Sequence, residues 1–86
     1  MYAIKYRRSV AKDLRRLPKN LLPAVVKRIQ KLAKNPMPAG ASKLRGTDNM
    51  YRVRQGDYRI VYSIENRQLI IIIVRVAHRK DAYKNW

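Results

Sequence analysis

Arg52, Arg54 and Arg59 are the residues whose type and spacing point most directly to chemistry. Arg52 and Arg54 occupy alternate positions in Met50–Arg54, a run that reads as a β-strand. Side chains alternate across a strand, so both arginines share one face and Tyr51 and Val53 take the other. If Gln55 and Gly56 form a two-residue hairpin loop, Arg54 opposes Asp57 and Arg52 opposes Arg59 on the next run, Tyr58–Ile64. Three guanidiniums then crowd one face. Like charges set opposite each other destabilise a sheet, and such conflict is expected where function chose the residues. A planar guanidinium bonds two oxygens of a phosphate at once, so the cluster predicts an anion. Taken singly, Arg52 and Arg54 also fit the solvated face of a half-exposed strand.

The elements that must position these residues can be read along the chain. Tyr2–Tyr6 alternates Tyr2, Ile4 and Tyr6 with Ala3 and Lys5, which predicts a short strand with one buried face. Ser9 is a candidate cap for a helix with Val10, Leu14 and Leu17 on its apolar side and Lys12, Asp13, Arg15 and Arg16 elsewhere. Pro18 ends it. Asn20 is the candidate cap of a second helix carrying Leu22, Val25, Val26, Ile29, Leu32 and Ala33, with Pro23 in its first turn. Lys27, Arg28, Lys31 and Lys34 fill its other side. Asn35–Ser42 reads as a loop, and Leu69–Ala77 as a last strand whose facing is unsettled because Leu69 to Val74 are all apolar. The expected fold class is α+β, in the order β-α-α-β-β-β: a mostly antiparallel four-stranded sheet with a two-helix hairpin packed on one face.

The 86 residues suit a single domain, 1–86, with one core. Lys and Arg number 21 against 5 Asp and Glu, a formal charge of +16 that favours a polyanion or an acidic protein as partner. Without cysteine there is neither a disulfide framework nor a thiolate metal site. The N-terminus resembles no signal peptide and the longest apolar run is too short to span a bilayer, so a cytoplasmic protein without a membrane partner is expected.

The ordered series KLRG, Tyr51-Arg52-Val53-Arg54, GDYRIVY, and a hydrophobic strand ending in His78-Arg79-Lys80-Asp81 with Tyr83 beyond it, resembles the RelE family. The basic helix hairpin before KLRG also fits, so the resemblance covers nearly the whole chain. It implies a toxin of a type II toxin–antitoxin module, neutralised by a cognate antitoxin, that cleaves mRNA in the ribosomal A site and inhibits translation. It also implies an endoribonuclease that needs no metal and no cofactor. Arg52 and Arg54 match a basic pair of that family, where its best-known member carries lysines. Arg59 matches an arginine that contacts the scissile phosphate, and Arg79 and Tyr83 match an arginine and a tyrosine after the last strand.

RNA carries its own nucleophile, the 2′-hydroxyl, so such a site needs a base, cations for the developing phosphorane charge, and an acid. The arginines serve as cations but are poor bases. An imidazole's unperturbed pKa lies near neutrality, which makes His78 a candidate base; Tyr83 is the other, if surrounding cations lower a phenol's pKa, and the one the resemblance favours. As the chain's one histidine, His78 excludes a two-imidazole pair, and it is also read simply as a hydrogen-bonding surface residue. Asp13, Asp48, Asp57, Glu65 and Asp81 show no metal-ligand spacing. Lys43, Arg45, Lys12, Arg15, Lys27, Arg28 and Lys31 are the expected contacts to RNA and the ribosome. Two other functions compete: a gyrase poison of the ParE branch of the same superfamily, and a basic nucleic-acid-binding module without chemistry.

Overall fold

The computed structural model of the chain describes residues 1–82. Its elements run β1 (Ala3–Tyr6), α1 (Val10–Arg16), α2 (Leu22–Leu32), β2 (Ser42–Lys43), β3 (Met50–Gln55), β4 (Tyr58–Glu65) and β5 (Ile70–His78). The strands form one sheet in the order β1-β5-β4-β3-β2, parallel between β1 and β5 and antiparallel elsewhere. The α+β class and the order of the helices and long strands agree with expectation. The sheet has five strands rather than four, because Ser42–Lys43 leaves the proline-rich loop and pairs with Arg52 and Tyr51. Two residues carry no periodicity, so nothing in the sequence marked them as strand.

The helices cover one face of the sheet. Val10, Leu17, Val25, Ile29 and Leu32 of the hairpin pack with Val53, Ile60, Tyr62, Ile64, Ile71, Ile73 and Val76 in one core. Burial of this apolar surface is the main term holding hairpin to sheet. Three local expectations fail. Ser9 stands at the N-cap of α1 but makes no side-chain cap bond, since its backbone is already helical (φ −64°, ψ −20°). Asn20 lies ahead of Leu21, which holds the cap position of α2, with Pro23 in the first turn. In β1, Ile4 packs on the core while Tyr6 stays 48% exposed at the sheet's margin, so the strand buries only part of its apolar side.

Two features of the register decide which side chains meet. The hairpin loop is Gly56-Asp57, one residue later than expected, because β3 runs on through Gln55 to pair with Tyr58. Gly56 has φ +60°, a left-handed conformation that a two-residue hairpin demands and glycine accepts without strain. The second feature is a bulge. Tyr62 pairs with Ile73 but Val61 pairs with Arg75, so Val74 is an extra residue and the alternation of β5 reverses across it. Ile71 and Ile73 face the helices, and so do Val76 and His78 beyond the bulge. Strict alternation would have sent Arg75 into the core.

Asp13 joins α1 to the sheet. β1 accompanies β5 only over Ile70–Ile73, which leaves the backbone of β5 without a strand on that side further along. The Val76 N–H donates to Asp13 Oδ2 at 3.0 Å, so a helix carboxylate replaces the missing strand partner. Asp13 is therefore a docking residue and not a solvated one. Among the described residues no helix is long and apolar enough to cross a membrane.

Candidate functional site: an arginine-lined sheet face

The face of the sheet away from the helices carries the arginines, arranged in two cross-strand rows. Opposed residues share a face, so the pairings Ser42–Arg52, Arg52–Val61 and Val61–Arg75 make the first row. Arg54–Arg59 and Arg59–Ala77 make the second, nearer the Gly56-Asp57 turn. Neighbouring strands lie about 4.8 Å apart and same-face residues along a strand about 7 Å apart. The four arginines thus root at the corners of a patch about 10 Å across, and neither row contains a carboxylate. The expectation of three guanidiniums on one face holds, although in a different register: Arg54, not Arg52, opposes Arg59.

Direct opposition of Arg54 and Arg59 is unfavourable, and the structure shows how it is tolerated. Arg59 Nη1 donates to the carbonyl oxygens of Gly56 at 3.4 Å and Tyr58 at 3.3 Å. Those carbonyls place partial negative charge beside the guanidinium and draw it toward the turn. Arg75 is the member that sequence reasoning missed. Its only signal was an arginine inside an otherwise apolar strand, and the bulge at Val74 brings it to this face. Its Nη1 donates to the Asp81 carbonyl at 3.2 Å.

Arg79 follows β5 and is exposed. Its N–H donates to the Asp57 carbonyl at 2.8 Å, which ties it to the hairpin end of the sheet, beside the Arg54–Arg59 row. His78 is not brought to the strand arginines. His78 pairs with Tyr58 on the helix side, its ring lies edge-on to Tyr58 with centroids 5.5 Å apart, and it lines a cavity of about 200 Å³ with Asp13 and Arg16. Its Nδ1 accepts the Lys80 N–H at 3.2 Å, so the imidazole is engaged in holding its own turn. Tyr83 lies outside the described residues.

The other expected contacts spread over the opposite side and the rim. Lys12 and Arg15 on α1 and Lys27 and Lys31 on α2 are exposed on the hairpin, which covers the far face of the sheet. Lys43 pairs with Tyr51 and so shares that far side, and Arg45 is exposed in the following loop. Arg28 is only half exposed, and its Nε is buried with no hydrogen-bond partner among the described residues. Beside it, Tyr62 donates its hydroxyl to the Pro36 carbonyl at 2.6 Å. Burial pushes the Tyr62 phenol up to about 12, helped by Tyr51 and opposed by the Arg28 charge. This tyrosine anchors the loop after α2 and has no access to the arginine patch. Among the described residues no three His, Asp or Glu gather as a metal site would require.

Comparison with known proteins places this geometry in a family. The family model described as "ParE toxin of type II toxin-antitoxin system, parDE" matches residues 4–83. The toxin RelG of Mycobacterium tuberculosis is 31% identical over 84 residues, covering 96% of this chain and 97% of its own. The toxin RelE of the same organism is 30% identical over 84 residues, covering 96% of this chain and 87% of its own. The crystal structure of the archaeal RelE–RelB complex from Pyrococcus horikoshii contains a chain that superposes with a TM-score of 0.81 at 32% identity, covering 94% of this chain and 98% of that one. The match in sequence spans both the helix hairpin and the arginine-bearing strands, and the match in fold spans the same elements: the chain belongs to the RelE/ParE family of type II toxin–antitoxin toxins.

Proposed function

We propose that the chain is an endoribonuclease that cleaves mRNA in the ribosomal A site, stops translation and is held in check by a cognate antitoxin. The observation that carries this reading is the gathering of Arg52, Arg54 and Arg59, with Arg75 beside them, on the sheet face away from the helices. Guanidiniums rooted on rigid strands offer fixed donors to the phosphate oxygens, where charge develops as the 2′-hydroxyl attacks. Arg59, held at the turn, and Arg79, tied to Asp57, flank the position for the scissile phosphate. The proton of the 2′-hydroxyl goes to the phenolate form of Tyr83, as the family resemblance implies, since His78 is turned to the helix side, and the 5′-oxygen takes a proton from Arg79 or a water as the P–O5′ bond breaks. Near neutral pH little of a tyrosine is phenolate, so the ribosome must orient the substrate and activity on free RNA is slight. The antitoxin partner is supported by the complex formed by the Pyrococcus relative and by this chain's charge of +16. The expected cytoplasmic location follows from the ribosomal target.

The description of the matching family model favours a second reading, a ParE-type toxin that poisons gyrase without cutting RNA. Toeprinting of an mRNA on ribosomes, run beside a gyrase supercoiling assay, separates the two. A new cut in the A-site codon supports the nuclease; inhibited supercoiling with intact mRNA supports the poison. Arg79→Ala and Tyr83→Phe are expected to lower cleavage by orders of magnitude while circular dichroism stays unchanged. Normal cleavage by both variants would sink the nuclease assignment.

A further inference from the structure

Arg75 has a second relation to the site besides its charge. It stands on the arginine face, opposite Val61 and across it from Arg52, yet its Nη1 reaches out of the sheet to the Asp81 carbonyl at 3.2 Å. The segment it reaches is the turn that carries Arg79. Most of the turn's remaining bonds are local and gather at its root: His78 O accepts the N–H groups of Asp81 at 2.8 Å and Ala82 at 3.0 Å, and His78 Nδ1 accepts that of Lys80. Bonds rooted at one residue set the shape of a turn but leave its swing about that root soft. The bond from Arg79 N–H to Asp57 O and the bond from Arg75 tie it to the sheet. Ala82, beyond the last strand and outside the core cluster, is nonetheless fully buried, so the turn lies folded against the body of the protein.

We propose that Arg75 is a positioning residue: it straps the turn after β5 to the sheet face away from the helices and so fixes where Arg79 stands relative to Arg52, Arg54 and Arg59. The proposal deepens the nuclease reading and rests on it for its effect on cleavage, though the strap itself does not. The bulge at Val74 is what makes it possible, because without the reversal of alternation the guanidinium would point at the helices. Geometry, not charge, is the requirement. A lysine keeps the positive charge but lacks the planar fork that reaches a carbonyl at a set angle.

The test compares Arg75→Ala and Arg75→Lys with the parent protein in two measurements. Amide hydrogen exchange at Asp81 and Ala82 is expected to quicken about tenfold in both variants, as loss of one hydrogen bond implies, while exchange in β3 and β4 is unchanged. Single-turnover cleavage on ribosomes is expected to slow about tenfold or more in both, with ribosome affinity kept within about twofold in Arg75→Lys. Unchanged exchange in both variants overturns the strap. Quickened exchange with normal cleavage overturns its role in placing Arg79, as does recovery of cleavage by lysine, which would make Arg75 a simple charge. If the parent protein itself cuts nothing, the nuclease reading fails on that arm, and the exchange arm still decides whether the strap exists.

Discussion

At the scale of single residues, the site trades stability for charge. Arg54 and Arg59 oppose each other directly, and cross-strand pairs of like charge cost roughly 0.2–1 kcal/mol. Arg54→Gln should therefore leave thermal stability unchanged or slightly raised while cleavage on ribosomes falls by about tenfold or more. A melting temperature lowered by several degrees would show that Arg54 is structural. Tyr62 carries a different dependence. Its phenol ionises near 10 in an unfolded chain and is pushed up to about 12 in the fold, so the folded state keeps the proton longer. Between those values the unfolded state binds fewer protons, and stability falls as pH rises through the interval. Thermal melts from pH 9 to 12 should show this decline, and it should be shallower in Tyr62→Phe.

At the scale of elements, the contacts between α1 and β5 depend on a carboxylate that the helix pattern assigned to solvent. Asp13 satisfies the Val76 N–H where β1 has ended. Asp13→Ala leaves that amide without its partner, a loss of about 1–3 kcal/mol. Urea unfolding should report it, with Val76 among the amides whose exchange quickens most. An unchanged midpoint would mean that water replaces the carboxylate freely. Element boundaries in the sequence were legible where long apolar runs met turn residues, as at β3, β4 and α2. They were illegible at β2, whose two residues pair only because the β2–β3 connection closes with Leu44 N–H on Met50 O at 2.9 Å.

At the scale of the whole molecule, cations lie on both sides of the sheet but do different things. The strand arginines converge on a small patch of the face away from the helices, while Lys12, Arg15, Lys27 and Lys31 are spread over the helix hairpin and share no phosphate with them. A charge of +16 on 86 residues makes any RNA or ribosome complex sensitive to salt, since bound cations release counterions. The logarithm of ribosome affinity is expected to fall linearly with the logarithm of salt concentration. Lys27→Ala with Lys31→Ala should flatten that slope without changing the single-turnover cleavage rate of bound complexes. A slower rate at saturating ribosome would place the helix lysines in the site.

The sequence alone determined the class of the fold, the apolar sides of both helices and the shared face of Arg52 and Arg54, because each follows from local periodicity. The order of motifs carried the family. Tertiary structure decided what periodicity cannot: the one-residue shift of the hairpin that set Arg54 against Arg59, the side taken by His78, and the reversal at Val74 that delivered Arg75. Side-chain facing in a strand depends on parity. In a run of apolar residues buried on both sides, a single extra residue changes that parity at no cost visible in the sequence, and only pairing with the neighbouring strand reveals it.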